Sequence, residues 1–490
     1  MILDDILDGL KNNGTKKAYT INNISYSYEK LYMFVCNIYN FLLKENKEKK
    51  PIVVYGNKEI YMKATFLASS FAGITYVPID ESIPRERVEA IVNQVQPYCV
   101  IGDFENEYCI NISKNQIYEI MENKEFNEIS KIYLKENDVY YIIFTSGSTG
   151  LPKGVKVTYN NLDSCIKWLK QITKADNEII LNQANFSFDL SVADLYLSLL
   201  TGSEHFILDN SAKFDFINIF EQLKQSKATM AVMTPSFADL LLIDKTFSYE
   251  TLPDLKTIIF CGETLLKSTV EKIKTRLKNI KIINCYGPTE CTFAVTSIEV
   301  DNDMLLLKEI PVGKAKDDVE IIILDENNKE LLENEIGEIL IVGKSVAEGY
   351  FGIVKENSFI KYKGKNAYLT GDLGYLKGGN LYYKCRKDNQ IKYKGYRIEL
   401  LDIEENLYNL NYFDKVKVIE KRNEENKIIK LIGFVKLKSN INKNVLEIKK
   451  DLAKKIPEYM RPSIIILEEF PINRNGKIDI ERLRGIVDGR

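Results

Sequence analysis

Up to about residue 385 the chain alternates short apolar runs, rich in β-branched residues, with longer segments whose apolar positions recur every three or four places. That alternation predicts strands followed by helices, and so α/β layering around a sheet. Val139 to Phe144 reads as a buried strand, with a helix behind it near Asn160 to Ile172. Thr257 to Phe260 reads as another strand. The helix expected after it, Leu265 to Lys278, carries an apolar stripe of Leu266, Val270, Ile273 and Leu277. Val319 to Leu324 and Gly337 to Val342 predict an added β-rich piece, and Leu190 to Leu200 a helix.

After Arg386 the pattern changes. A short helix (Asp402 to Leu410), two strands (Lys415 to Glu420, Ile429 to Lys436), a second helix (Val445 to Lys455) and a strand (Ile464 to Leu467) suit a small α+β domain. The polar stretch Arg386-Lys387-Asp388-Asn389 is the expected hinge. The chain of 490 residues is too long for one ordinary core. The expected fold is therefore a large multi-subdomain N-terminal α/β domain with the β-rich piece, residues 1–387, and a small mobile C-terminal α+β domain, residues 388–490.

Composition narrows the class of partner. Lys and Arg (67) nearly cancel Asp and Glu (69), so no general basic surface for nucleic acid is expected. The N-terminus is acidic, and no apolar run reaches the ~18 residues that would suggest a membrane span, so a soluble, cytoplasmic protein is expected. Eight scattered cysteines contain no C-x-x-C pair, which argues against a zinc site or a disulfide framework. The one histidine, His205, reads as structural, which removes most mechanisms built on a histidine base.

Four segments carry candidate chemistry. In the first, the strand ending at Phe144 empties into Thr145-Ser146-Gly147-Ser148-Thr149-Gly150, with Lys153 beyond. Glycines let backbone N–H groups converge on one anion, hydroxyls add donors and lysine adds charge; the spacing is not that of a Walker loop, and a Ser/Gly-rich linker has the same composition. The second, Asn284-Cys285-Tyr286-Gly287-Pro288-Thr289-Glu290, offers an aromatic face for a purine, a hydroxyl for phosphate and a carboxylate for Mg²⁺, although alone it could be a turn. Paired with the first loop it becomes an ATP site. In the third, Asp372 could accept from both ribose hydroxyls, with Arg386 donating to sugar or phosphate. In the fourth, Lys477 sits on a Gly-containing turn and could meet a substrate carboxylate and the α-phosphate. Both would otherwise be ordinary surface charges.

Together, in this order and spacing, these segments resemble the adenylate-forming superfamily of acyl-CoA synthetases, luciferases and nonribosomal-peptide adenylation domains. Ala72 to Asp80, Gly343 to Tyr350, Lys394 to Glu399 and Ile456 to Pro462 extend the likeness over nearly the whole chain. The resemblance implies ATP and Mg²⁺, with Thr145 to Lys153 as the phosphate loop and Asn284 to Thr289 on adenine and α-phosphate. It likewise implies Glu290 on Mg²⁺, Asp372 on the ribose, Tyr383 to Arg386 as adjoining nucleotide contacts and Lys477 as the lysine required for adenylation. Asp388 stands at the family's hinge, which turns Lys394-Gly395 toward an incoming thiol.

Within that superfamily, Phe186-Ser-Phe-Asp189 resembles the segment of amino acid-activating enzymes whose Asp pairs with the substrate ammonium; from the residues alone Asp189 would be a helix N-cap. Asn182 to Tyr196 and Ile259 to Glu263 are still closer to the subgroup of ligases that load D-alanine onto a carrier protein, where Cys261 would line the amino acid pocket. Ala193, Cys285 and Phe293 depart from the usual Met, Thr and Val there, which reshapes the pocket and leaves the amino acid and its chirality open. The chain ends shortly after Lys477, so the expected partner is a phosphopantetheinylated carrier protein supplied in trans. The alternatives are a stand-alone nonribosomal-peptide-type enzyme for another amino acid, an acyl- or aryl-CoA ligase, and a nucleotide sensor without turnover.

Overall fold

A computed structural model describes residues 1–147, 151–209, 216–352, 358–388, 390–472 and 478–488. The α/β expectation holds. The described residues form two compact units, the larger made of Met1–Glu81, Gln94–Phe144 and Gly154–Lys387. One of its sheets runs, edge to edge, Lys314–Ala315, Thr296–Glu299, Lys281–Tyr286, Thr257–Phe260, Met230–Met233, Ile179–Asn182, Glu204–Ile207, Lys17–Ile21 and Ile24–Ser27. From Lys281–Tyr286 to Lys17–Ile21 the pairing is parallel. Strands such as Thr257–Phe260 are therefore buried on both faces, which is why they read as continuous apolar runs.

Another sheet runs Gly349–Tyr350, Lys153–Thr158, Val139–Thr145, Tyr76–Asp80, Ile52–Gly56, Cys99–Ile101 and Ile110–Ile112. The predicted β-rich piece is an antiparallel sheet of Val319–Leu324, Gly337–Gly343, Lys365–Lys377 and Phe359–Tyr362, with Asn380–Arg386 paired to Lys365–Lys377.

Local chemistry explains where the helices begin and stop. Tyr159–Thr173 opens on a capping box, Thr158 with Asn161. The helix after Thr257–Phe260 is shorter than its periodicity predicts, Lys267–Arg276, because Leu266 takes an extended cap conformation and Leu277 leaves the helix at φ −110°, ψ 111°. Val270, Ile273 and Leu277 are still buried, with Leu265 rather than Leu266 filling the remaining place.

The smaller unit comprises Ser82–Asn93, Thr145–Lys153 and Asp388–Arg490. Phe413–Arg422 and Ile428–Leu437 pair antiparallel and Ser463–Ile466 joins in parallel. The helices Leu400–Tyr408 and Val445–Leu452 contribute Ile403, Leu407, Ile448 and Leu452 to its core. The second of these stops at Leu452, short of the predicted Lys455. Gln390–Tyr393 and Tyr396–Glu399 form a hairpin whose turn residues, Lys394 (φ 54°) and Gly395 (φ 84°), have the left-handed backbone that tight hairpins require. No helix among the described residues is long and apolar enough to cross a membrane.

Both units bury charge, Arg87 against Asp402 in the smaller and Lys63 near Asp194 in the larger. Lys63 is fully buried, and burial pushes its ammonium down to about 7, against the opposing pull of Asp194. Above that pH the folded chain holds Lys63 neutral, whereas the unfolded chain still binds the proton up to roughly 10.4. The unfolded state is then the one with more protons, so this residue makes stability rise with pH between about 7 and 10. Lys63→Met should flatten that rise relative to the parent in urea-unfolding curves taken across the window; an unchanged slope would show that Lys63 does not titrate as its burial requires.

Candidate active site

The strand Lys281–Tyr286 delivers Asn284, Cys285 and Tyr286 from the sheet into a tight turn. Gly287 is required there: a Cβ would stand 2.6 Å from the Ala294 Cα and 2.8 Å from the Phe293 carbonyl oxygen. The chain doubles back through Thr292 (φ 58°) and Phe293 (φ 68°), and Val295 N–H closes the loop by donating to the Tyr286 carbonyl. This turn puts Tyr286, Pro288, Thr289, Glu290 and Phe293 at the carboxyl end of the parallel strands, where open α/β sheets bind ligands.

Tyr286 links the turn to the antiparallel sheet. Its hydroxyl donates to Asp372 Oδ2 at 2.6 Å, while Arg386, the residue paired with Asp372 across two strands, donates to Oδ1 at 2.8 Å and to the Thr370 carbonyl at 2.7 Å. Burial, then the Asp372 charge, pushes the Tyr286 phenol well up, so it stays a donor. Asp372 is 1% exposed, yet each carboxylate oxygen has capacity for a further donor. Tyr383 lies 6.1 Å from Tyr286, ring to ring. Asn284 is more constrained than its sequence suggested, since its amide donates to the Pro311 carbonyl at 2.9 Å.

Glu290 is fully buried in a short helical turn, Thr289–Cys291, and its Oε1 accepts from Tyr350 Oη at 2.7 Å. No group of three His, Cys, Asp or Glu side chains among the described residues could hold a metal by itself. One buried carboxylate suits Mg²⁺, which takes one or two protein carboxylates and completes its shell with phosphate and water. Tyr350 had no signal of its own in the sequence beyond closing a resembling segment.

A third cluster surrounds Asp189. It stands at the N-cap position of Leu190–Leu200, but with helical backbone (φ −62°, ψ −23°) and no capping hydrogen bond, so the N-cap reading of its side chain is overturned. Ala193, one helical turn on, is buried, as are Cys261, Cys285 and Phe293, and the Cys261 thiol lies 3.8 Å from the Phe293 carbonyl oxygen. Burial pushes the Cys285 thiol well up, with Cys261 and Cys165 adding to it, and pushes Cys165 up to about 11, with a contribution from Asp189. Cys165 thus joins this group, although nothing in its own sequence context pointed there.

Thr145, Ser146, Gly147 and Lys153 belong to the smaller unit, as does Asp388. Ser146 Oγ donates to the Arg397 carbonyl at 3.0 Å and accepts from Glu399 N–H at 3.2 Å. Gly147 approaches the Leu151 carbonyl so closely that a Cβ would stand 2.1 Å from it. Burial raises the Glu399 carboxyl against the pull of Arg397 and Lys153. Asp388 Oδ1 accepts from Gln390 N–H. Ser148, Thr149 and Lys477 lie outside the described residues.

The larger unit thus holds a strand-end turn beside a buried carboxylate, a Tyr–Asp–Arg array, and a group of buried thiols with Asp189 near Cys165. A family model described as AMP-binding enzyme matches residues 8–351. The chain belongs to the family of AMP-binding enzymes. Among relatives of this AMP-binding enzyme, a D-alanine–D-alanyl carrier protein ligase of Bacillus licheniformis is 40% identical over 453 residues, covering 89% of each chain. One of Lactococcus lactis is 36% identical, covering 94% of this chain and 93% of the relative. The fold of the AMP-binding enzyme is that of the Vibrio cholerae adenylation domain AlmE, solved with glycyl-adenosine-5'-phosphate (TM-score 0.83, 21% identity, covering 100% of this chain and 98% of that one). It is shared with an o-succinylbenzoate CoA synthetase of Bacillus subtilis (TM-score 0.83, 18% identity, 98% and 97% covered).

Proposed function

We propose that this enzyme activates a small amino acid, D-alanine in the first place, as its aminoacyl-AMP, and then transfers the acyl group to the phosphopantetheine thiol of a carrier protein supplied in trans. The observation that carries the reading is the Asp189 cluster: a half-buried carboxylate at the entrance of a helix, beside Ala193 and buried thiols, has the charge and the small volume that suit an ammonium with a short side chain. The names of relatives 36–40% identical over most of the chain support D-alanine.

Asp372, held by Tyr286 and Arg386, would accept the ribose hydroxyls. Thr145 to Lys153 would hold the phosphates, Asn284 to Thr289 the adenine side and α-phosphate, and Tyr383 would border the nucleotide. Mg²⁺, when bound through Glu290, would offset phosphate charge. A carboxylate oxygen of the amino acid attacks the α-phosphorus, the bond to the bridging oxygen breaks, and pyrophosphate leaves with the electron pair. The nucleophile is already charged, so positioning and charge neutralisation by Asp189 and Lys477 are the protein's main tasks. In the second step the thiol sulfur attacks the acyl carbon, the acyl–phosphate bond breaks, AMP leaves and the thiol proton passes to solvent. Hinge motion at Asp388 would separate the two steps, and dependence on ATP suits a cytoplasmic location.

Pyrophosphate release across a panel of D- and L-amino acids should peak at D-alanine, with alanine lacking its amine, propionate, far behind. Turnover of propionate equal to that of D-alanine would move the enzyme to the acyl-CoA ligases. Tyr286→Phe removes the buried donor to Asp372, a change of about 1–2 kcal/mol. It should therefore raise KM for ATP by roughly five- to thirtyfold with little change in KM for the amino acid; equal changes in both would separate Asp372 from the nucleotide.

A further inference from the structure

Behind the Asp189 segment lies a buried ionic cluster that the activation chemistry above does not use. Asp194 is fully buried on Leu190–Leu200; the Asn182 amide donates to Oδ1 and Oδ2 at 3.1 Å each, and His205 Nε2 lies 3.0 Å from Oδ1. The other ring nitrogen of His205, Nδ1, has no hydrogen-bond partner among the described residues, as suits a neutral imidazole donating from Nε2. Lys58, 1% exposed, sends its ammonium across the ends of two neighbouring parallel strands, to the Leu208 carbonyl at 2.7 Å and the Gln183 carbonyl at 3.3 Å. Its own backbone is left-handed (φ 60°), and its carbonyl accepts from the Tyr19 hydroxyl. Phe186 stacks on the His205 ring at 6.2 Å and meets Phe66 edge-on at 5.6 Å.

Four of these residues frame the stretch that carries Asp189. Asn182 ends the strand, Gln183 begins the loop, Phe186 is its midpoint, and Asp194 is little more than one helical turn beyond Asp189. Removing charges from water is costly, and apolar residues of similar volume would hold a core at least as well. A set of directional bonds does what apolar packing cannot: it fixes where a loop starts, turns and re-enters a helix.

We propose that Lys58, Asn182, Asp194 and His205 form a positioning network that holds residues 183–189 so that the Asp189 carboxylate meets the substrate ammonium. The network touches neither reactant. It sets amino acid recognition through Asp189, and so rests on the role proposed for that residue.

The test is steady-state pyrophosphate exchange with D-alanine and ATP for Lys58→Met and Asp194→Asn, each shape-conserving, alone and combined with Asp189→Ala. Each single variant should raise KM for D-alanine tenfold or more while KM for ATP stays within twofold. In the Asp189→Ala background the same changes should add less than twofold, because the group they position is gone. Should either variant fail to fold, Phe186→Leu, which removes only the ring resting on His205, carries the same comparison. Folded variants whose two KM values change in parallel, or whose effect persists undiminished in Asp189→Ala, would overturn the network as a positioning device. If the parent exchanges with D-alanine and Asp189→Ala alone raises its KM, the proposed function stands whatever the network variants do. If the parent shows no amino acid-dependent exchange, both fall together.

Discussion

Lys477→Ala is expected to lose amino acid-dependent pyrophosphate exchange by a factor of about 10² to 10³. The transition state of the first step places a carboxylate against a triphosphate, and negative charge moves from the attacking oxygen through the α-phosphoryl group to the leaving pyrophosphate. A cation placed there stabilises the transition state more than the ground state, and only such an interaction raises the rate of the chemical step. The chain's one imidazole, His205, does not substitute, being fully buried and driven well below its usual pKa by burial and by Lys63 and Lys58. The second half-reaction needs no such charge on the triphosphate. Lys477→Ala supplied with preformed D-alanyl-AMP should therefore load the carrier thiol within a few-fold of the parent rate. Undiminished exchange in the variant would remove the lysine from the mechanism, and equal loss in both half-reactions would make it structural.

The frame of the larger unit was readable because parallel strands buried on both faces leave uninterrupted apolar runs, as at Thr257–Phe260. Helix ends were less legible, since Leu266 and Leu277 keep the helical spacing while standing outside the helix. The site was readable where backbone demands constrain residue type, as at Gly287, whose Cβ would collide with the returning chain. What stayed hidden were partners distant in sequence. Tyr350 donates to Glu290 and Tyr286 to Asp372 only because separate sheets meet there, and neither tyrosine announces its hydrogen bond. Asp189 shows the opposite difficulty. Its place ahead of a helix suggested a cap, but a cap requires extended backbone, and Asp189 is already helical.

That same geometry bears on what Asp189→Ala should do. Because the carboxylate makes no capping bond, its removal should leave the helix Leu190–Leu200 and the melting temperature nearly unchanged, whereas loss of a true cap costs about 1 kcal/mol. Its loss should be felt by the substrate instead. An ammonium brought into a partly desolvated pocket without its counter-charge forfeits about 2–5 kcal/mol, or roughly 30- to 4000-fold in kcat/KM for D-alanine. Propionate lacks the amine and has nothing to lose, so its kcat/KM should hold or rise as a carboxylate is withdrawn from its path. The ratio of D-alanine to propionate turnover thus isolates the charge pair from any general damage to the site: it should collapse toward unity in Asp189→Ala and recover in part in Asp189→Glu. A ratio that stays at the parent value would place the ammonium elsewhere, and a lowered melting temperature with unchanged selectivity would return Asp189 to a structural part in the helix.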